Sequence, residues 1–199
     1  MAQEDKICKY IDMPLQHISD HILKEQNRNI TTQQTKDLIG KIRKKMPQAS
    51  LRTTFIVGLP GETEEDFKEL VNFVRETRFE KVGAFIYSKE EGTESFAMPN
   101  HVPATIKKKR LNQLMKVQRE ISKSIQESYI GRTLNVLIEE KQANAQSVYL
   151  GRSEHDAPDV DGLVFVNSGK TLKQGDIVPV RITDSYEYDL SGQAVDSRS

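Results

Sequence analysis

Residues 51–67 constrain the fold more than any other part of this 199-residue chain. The run Leu51–Val57 ends in three apolar residues, as expected for a parallel strand that is covered on both faces. Gly58-Leu-Pro-Gly61 then turns the chain. Thr63, followed by Asp66, forms an acidic variant of the capping box and begins a helix that we expect to end near Thr77. The segment therefore predicts a βα unit.

Similar units flank this segment. The sequence predicts strands over residues 6–13 and 82–87, and helices over residues 20–26 and 32–46. Cys8 lies in the first apolar run, which predicts a buried thiol without a catalytic or ligand role. The second helix is expected to bury Leu38, Ile39, Ile42 and Met46. Strands that alternate with helices predict right-handed βαβ units and a parallel sheet or barrel.

The character of the sequence changes after Gly131. A long helix is predicted over about residues 104–128, and the cationic run Lys107–Arg110 at its start reads as a solvated face or as a contact for an acidic surface or RNA. Five short strands then follow, over residues 133–139, 147–151, 163–167, 176–183 and 186–195. Short strands separated by turns predict a small antiparallel β-barrel. We predict two domains, residues 1–129 and residues 130–199.

Charge is divided unequally between these domains, although the net charge is zero. Residues 1–129 carry 22 Lys and Arg against 18 Asp and Glu, whereas residues 130–199 carry 7 against 11. An acidic module is poorly suited to phosphates and better suited to a basic partner. The sequence has no apolar run of membrane-spanning length, no signal-peptide pattern and a single cysteine, so we expect a cytoplasmic protein.

The segments that follow the three predicted strands indicate a ligand pocket. They are polar or Gly-rich, and ligands of parallel βα folds bind at the carboxyl ends of the strands. Gly58 and Gly61 would let the backbone approach a ligand, and the amides at the start of the helix capped by Thr63 could hold an anion, although both glycines could serve the turn alone. Gln16 and His17 could bond a ligand hydroxyl or carboxylate, although a lone loop histidine is more often structural or exposed.

Two other features bear on the chemistry. Arg52 lies near the start of its strand and needs a carboxylate partner, either from the protein or from a ligand. The four histidines are dispersed along the chain, and the sequence has no His, Asp, Glu or Cys cluster with the spacing of a metal site. We therefore predict no metal site and no catalytic residue from spacing alone.

Several blocks, in order, resemble the radical S-adenosylmethionine (SAM) methylthiotransferases. They are Tyr10-Ile-Asp-Met-Pro-Leu-Gln-His-Ile-Ser19, residues 51–67 and Val82-Gly-Ala-Phe-Ile-Tyr-Ser-Lys-Glu-Glu-Gly-Thr93. The last module resembles a TRAM domain. Residues 151–162 and Glu187-Tyr-Asp-Leu190 are similar to the branch that methylthiolates an aspartate of small-subunit ribosomal protein S-twelve. The resemblance implies an α/β partial (βα) barrel, the C-terminal half of a radical SAM barrel, followed by a small all-β TRAM barrel.

The resemblance also implies cofactors. Family members use SAM and two 4Fe–4S clusters, one of them held by the cysteines of a Cys-x-x-x-Cys-x-x-Cys loop. Those cysteines would precede Met1 and Cys8 matches none of them, so this chain alone is expected to be inactive. By position, Gln16, Gly58 and Tyr87 would line the SAM and substrate side. Glu62 stands one place late in the family pattern Gly-x-Ile-x-Gly-x-x-Glu.

The resemblance and the charge together suggest a partner for the second module. Its acidic residues could face the basic ribosomal protein, since complementary potentials aid encounter and orientation. They could also serve only as turn residues. The alternatives are a tRNA methylthiotransferase with an RNA-binding TRAM domain and a non-catalytic binding module. The candidate acids are Asp156, Asp159, Asp161, Asp184, Glu187 and Asp189.

Overall fold

A computed structural model describes residues 1–4, 6–143, 145 and 147–196, so the last three residues of the predicted second domain lie outside the described residues. The chain divides into two compact units. One is Ile11–Ile121, and the other comprises the described residues of Met1–Tyr10 and Ser122–Ser199. The predicted domain boundary near residue 130 stays a prediction.

The first unit contains a parallel sheet with helical connections. Strands and helices alternate, and the sheet order is β1-β2-β3, with β2 and β3 paired in parallel. A 3-10 turn at Glu94–Phe96 and a long helix follow the sheet. This order confirms the βα arrangement that the sequence predicts. The elements are β1 (Tyr10–Asp12), α1 (Asp20–Glu25), α2 (Thr32–Lys45), β2 (Ser50–Val57), α3 (Glu64–Thr77), β3 (Lys81–Ile86) and α4 (Ala104–Glu127). Tyr10 and the end of α4 from Ser122 are counted with the other unit.

Aromatic packing holds α3 against β2. Phe55, Phe73 and Phe79 are fully buried and meet edge to face, with ring centroids 5.7–6.4 Å apart. Such pairs contribute about 0.5–1.5 kcal/mol beyond the burial of their area. Both halves of the capping box at Thr63 and Asp66 are formed, as predicted. Helix α3 is therefore fixed by its cap at its start and by the aromatic cluster along its length.

Two local predictions about this unit and its flanks are wrong. Cys8 is exposed, because β1 begins only at Tyr10. The preceding residues instead form a local turn, in which the Lys9 ammonium donates to the carbonyls of Met1 and Glu4 at 2.8 and 2.6 Å. Leu38 is exposed because α2 buries the face that carries Thr35 and Ile39.

The second unit contains a closed five-stranded barrel. The strand order is β4-β5-β6-β8-β7, and β6 pairs with β8 in parallel, which corrects the expectation of a purely antiparallel barrel. Nine buried side chains fill it, among them Val136, Val166 and Val180 with no exposed surface. In the part of the chain that is described, no helix has the length and apolarity that crossing a bilayer requires. The strands are β4 (Thr133–Lys141), β5 (Val148–Ser153), β6 (Val164–Asn167), β7 (Ile177–Ser185) and β8 (Leu190–Ala194).

Candidate strand-end site

The three predicted pocket segments meet at one edge of the parallel sheet. The backbone N–H of Gln16 donates to the Thr54 carbonyl at 2.8 Å, and the backbone carbonyl of Gln16 accepts the N–H of Ile56 at 2.8 Å. The Tyr87 amide donates to the Val57 carbonyl at 2.9 Å. Gln16, Gly58 and Tyr87 therefore lie side by side where three neighbouring segments leave the sheet.

A buried carboxylate occupies the turn that follows β2. Glu62 Oε2 accepts the amides of Gly58 at 2.6 Å and of Leu59 at 3.1 Å. Its Oε1 accepts Nη1 of Arg110 at 2.8 Å, and the same nitrogen donates to the Glu62 carbonyl at 3.1 Å. Burial raises the pKa of Glu62, while Arg110 and the two amides act in the opposite direction. At Gly58, where the backbone was predicted to approach a ligand, the amide is thus bonded by the chain's own carboxylate.

The start of α3 is also occupied by side chains. Asp66 Oδ2 accepts the Thr63 amide at 2.9 Å and the Thr63 hydroxyl at 2.7 Å. Oδ1 of Asp66 accepts the Ser19 hydroxyl at 2.5 Å, and Nδ1 of His21 lies 3.1 Å from Oδ2. Burial acts to raise the pKa of Asp66, but the hydrogen bonds from Ser19 and Thr63 prevail and hold it well below its usual range. The amides of Thr63 and Asp66 are therefore bonded by side chains of the capping box, at the helix start where the sequence allowed an anionic ligand.

His17 belongs to the same buried network. Its Nδ1 accepts the Ser19 amide at 3.1 Å, so the proton of the neutral ring is on Nε2. Nε2 is buried without a hydrogen-bond partner among the described residues and lies 3.9 Å from Oε2 of Glu62. Burial lowers the pKa of His17 to about 4. The imidazole is therefore neutral at physiological pH.

Arg52 and Gly61 have other surroundings. Nη1 of Arg52 donates to Oδ2 of Asp12 at 2.6 Å, so the chain itself supplies a carboxylate partner. Arg52 lies near the start of β2, whereas Gly58 follows its end. The Gly61 amide donates to the Asn100 carbonyl at 3.0 Å, and no atom lies within 4 Å of the position a Cβ would take there. The predicted candidates thus separate into a strand-end group and Arg52 at the opposite end.

Two cations of α4, Lys107 and Arg110, belong to this site. A solvated face was one of the two interpretations of the cationic run that contains them. Arg110 is buried on Glu62, as described above. The Lys107 stem crosses Gly58 so closely that a Cβ on Gly58 would lie 2.3 Å from Cγ of Lys107. Nζ of Lys107 donates to the Tyr87 carbonyl at 2.9 Å. Cations at a helix N-terminus interact unfavourably with the helix dipole. This unfavourable position is the one signal in the sequence that Lys107 and Arg110 have compensating partners in other elements.

The fit of the implied cofactors differs between the cluster and SAM. Among the described residues, no group of three or more His, Cys, Asp or Glu is arranged to hold a metal ion, so these residues do not supply the ligands of an iron–sulfur cluster. Oε1 of Gln16 and the hydroxyl of Tyr87 are buried without hydrogen-bond partners within the same residues. These two groups fit a small polar ligand such as SAM, because buried polar atoms require partners.

The predicted acidic surface of the barrel is partly used by the protein itself. Asp156 is buried and accepts the Ser153 hydroxyl at 2.6 Å, so it closes a turn. Asp161 accepts the Tyr10 hydroxyl at 2.6 Å, and Asp189 accepts the Leu163 amide at 2.8 Å. Glu187 is half-buried, and Asp159 and Asp184 are exposed. A cavity of about 510 Å³ is lined by Asp159 and Asp161 together with Glu139, Glu140 and Arg152.

Comparison with known proteins defines the class. The model of the radical SAM superfamily matches residues 2–74, and the model of the TRAM domain matches residues 130–195. Among solved structures, coproporphyrinogen III oxidase (HemN) of Escherichia coli, described as a radical SAM enzyme, shares the fold. Its TM-score is 0.50 at 12% identity, over 73% of this chain and 41% of that one. The first part of the chain is thus similar to radical SAM proteins, and its last part is similar to TRAM domains.

The chain is also similar to curated proteins described as ribosomal protein uS12 methylthiotransferase RimO. The relative from Desulforamulus reducens is 47% identical over 97% of this chain and 44% of its own length. Those from Petrotoga mobilis and Thermoanaerobacter sp. are 50% identical over 98% and 97% of this chain, and 44% and 43% of their own lengths. The chain spans less than half of the length of these curated relatives.

Proposed function

We propose that the chain is part of an enzyme that methylthiolates an aspartate of ribosomal protein uS12. The observation that carries the proposal is 45–50% identity to uS12 methylthiotransferases over 96–98% of the chain, through both the sheet and the barrel. In this proposal SAM and two 4Fe–4S clusters, when bound, supply the radical and methylthio chemistry. The described residues contribute binding and positioning groups.

The strand-end residues are proposed to face SAM and the substrate. Gln16 and Tyr87 carry unpartnered polar atoms there, and they would orient a bound ligand. Glu62 and Arg110 would keep the Gly58–Glu62 turn in shape, because their hydrogen bonds tie it to α4. His17 would remain a neutral, buried support of that turn.

The barrel is proposed to bind the basic uS12 protein. Asp159 and Asp184 are exposed, and Glu139 and Glu140 line the cavity beside Asp159. An acidic surface steers a basic protein and disfavours phosphate backbones. The net charge of residues 130–199 therefore favours uS12 over tRNA as the partner of the barrel.

A binding assay tests the partner. Purified chain is measured against uS12 and against tRNA at low and high salt, with Asp159→Asn/Asp184→Asn as the variant. Asp37→Asn/Glu65→Gln, which removes the same charge from exposed residues outside the barrel, is the control. We expect salt-sensitive uS12 binding that only the barrel variant weakens. Salt-sensitive tRNA binding without uS12 binding would instead support the tRNA-modifying alternative.

A reconstitution experiment tests the division of chemistry. Treated with iron and sulfide under anaerobic conditions, the chain alone is expected to give neither stable 4Fe–4S absorption nor 5′-deoxyadenosine from SAM. The reason is that its described residues present no set of three cluster ligands. A stable cluster together with deoxyadenosine would contradict the expectation.

A further inference from the structure

Three hydrogen-bond donors without an anionic partner gather around Tyr87. The Tyr87 hydroxyl and Nε2 of His101 are both buried and have no hydrogen-bond partner among the described residues. The two rings stack, with centroids 6.0 Å apart and planes inclined by 18°. Nζ of Lys107 lies 4.7 Å from the centroid of the Tyr87 ring. All three groups can donate a hydrogen bond, so together they fit an acceptor.

Lys107 is the charged member of this group. An ammonium carries three donors, and the hydrogen bond to the Tyr87 carbonyl uses one of them. No carboxylate of the described residues forms an ion pair with Lys107. Burial lowers its pKa, although the negative charge of Glu62 acts to raise it. A half-buried cation without an ion-pair partner gains most from an anion that a ligand brings.

The position of Lys107 is fixed by packing as well as by this hydrogen bond. Its Cβ and Cγ would lie 3.1 and 2.3 Å from a Cβ at Gly58, so only a glycine allows the stem to pass there. The stem follows the end of β2, and the ammonium reaches the residue that follows β3. A lysine that served only solubility would not need this route.

We propose that Lys107, Tyr87 and His101 form a subsite that binds a carboxylate group of a ligand at the strand-end site. One cation with two further hydrogen-bond donors suits the two oxygens and single charge of a carboxylate. Tyr87 also packs with Ile22 and Leu59, which gives the subsite an apolar wall for the carbon atoms of the ligand. The proposal rests on the proposed function, in which the carboxylate comes from the substrate aspartate or from the methionyl part of SAM.

The test follows the Lys107 side chain directly by NMR. The chain is labelled with ¹³C-lysine, and the Lys107 Cε signal is assigned by its loss in Lys107→Met. Two pairs of probes are titrated: a capped peptide with one aspartate against the same peptide with asparagine, and SAM against its decarboxylated form. Since a lost charge-assisted hydrogen bond costs about tenfold or more in affinity, one carboxylate probe should bind about tenfold more tightly than its counterpart without the carboxylate.

Matched variants separate a binding role from a structural one. Because Lys107→Met lacks the reporter signal, the affinities of the variants are measured from the NMR signals of the probe itself. Lys107→Met should weaken binding of the responsive probe about tenfold, whereas Lys108→Met, at the exposed neighbouring position, should not change it. Tyr87→Phe keeps the ring and removes only the unpartnered hydroxyl, so a several-fold loss is expected even if Lys107→Met does not fold. Response to the peptide identifies the aspartate as the source of the carboxylate, and response to SAM identifies the methionyl group.

Equal binding of both members of each pair, or no Lys107 shift up to about 20 mM probe, would overturn the proposal. Unchanged affinity in the folded variants would overturn it as well. The outcome is independent of the uS12 assay, because that assay reports on the barrel. Failure of uS12 binding with an intact carboxylate response would refute the proposed partner and leave the subsite standing.

Discussion

Replacing Gly58 with alanine should destabilise the first unit much more than the same change at Gly61. Both glycines have left-handed backbones, with φ of 75° and 79°. Alanine pays about 1–2 kcal/mol for that conformation at either position. The two sites differ in space: a Cβ at Gly58 would meet Cγ of Lys107 at 2.3 Å, whereas a Cβ at Gly61 would meet nothing within 4 Å.

The steric part of the effect can be estimated separately. Cγ and Cβ are the near end of the lysine side chain, so relief requires the start of α4 to move. Overpacking of this kind costs about 1–3 kcal/mol. We therefore expect Gly58→Ala to cost about 2–5 kcal/mol in the free energy of unfolding and Gly61→Ala about 1–2 kcal/mol. The entropy that alanine removes from the unfolded chain is common to both variants and cancels in the comparison.

Urea unfolding followed by circular dichroism at 222 nm measures this difference, because α1–α3 and most of α4 lie in Ile11–Ile121. A double-mutant cycle with Lys107→Ala isolates the clash, since that change removes Cγ and should recover about 1–3 kcal/mol of the Gly58→Ala loss. Equal costs at Gly58 and Gly61, or zero coupling to Lys107→Ala, would refute the steric argument.

Two further predictions concern the buried network. Burial lowers the pKa of His17 from 6.5 to about 4 in the folded state, so the unfolded state takes up a proton first as the pH falls. The free energy of unfolding should therefore decrease by up to about 3 kcal/mol as the pH is lowered from 6.5 to 4. The raised pKa of Glu62 makes the free energy of unfolding increase as the pH falls, so wild type is compared with His17→Gln in urea titrations across a pH series. Only wild type should show the His17 loss, and parallel curves for the two proteins would contradict the prediction. Glu62→Gln removes the buried carboxylate of the pair with Arg110 and leaves only the exposed Glu64, 3.6 Å away, so it should cost about 3–5 kcal/mol. Glu64→Gln, at the exposed partner, should cost less than about 0.5 kcal/mol. Thermal unfolding of the two variants side by side checks this, and a similar loss in both would show that the buried pair has no special weight.

Most elements of the fold could be predicted from consecutive residues. The capping box at Thr63, the apolar end of β2 and the α3 face that carries Phe67 and Leu70 are all local patterns, and the structure has each of them. The two wrong predictions concern the burial of residues beside the packed face of a helix or just before the start of a strand. Leu38 fits the periodicity of α2 but lies beside the buried face, and Cys8 precedes the first paired residue.

The barrel shows the same division between local and long-range information. Its five strands could be located because Gly- and Asp-rich turns separate them. Their order could not, because the parallel pairing of β6 with β8 depends on how the sheet closes and not on either strand alone. The acids illustrate the point at single residues: Asp156 and Asp159 look alike in sequence, yet one closes a buried turn and the other is exposed.

By itself the sequence determined the alternation of strands and helices, the five-stranded module and the relationship to the radical SAM methylthiotransferases, because these are written in adjacent residues and in ordered blocks. Only the tertiary structure decided which groups occupy the strand ends. Glu62 and Arg110 are 48 residues apart, and Lys107 reaches Tyr87 across Gly58. Such contacts depend on where α4 packs, and a cation in a lysine-rich run carries no local sign of the carboxylate or carbonyl that it will meet.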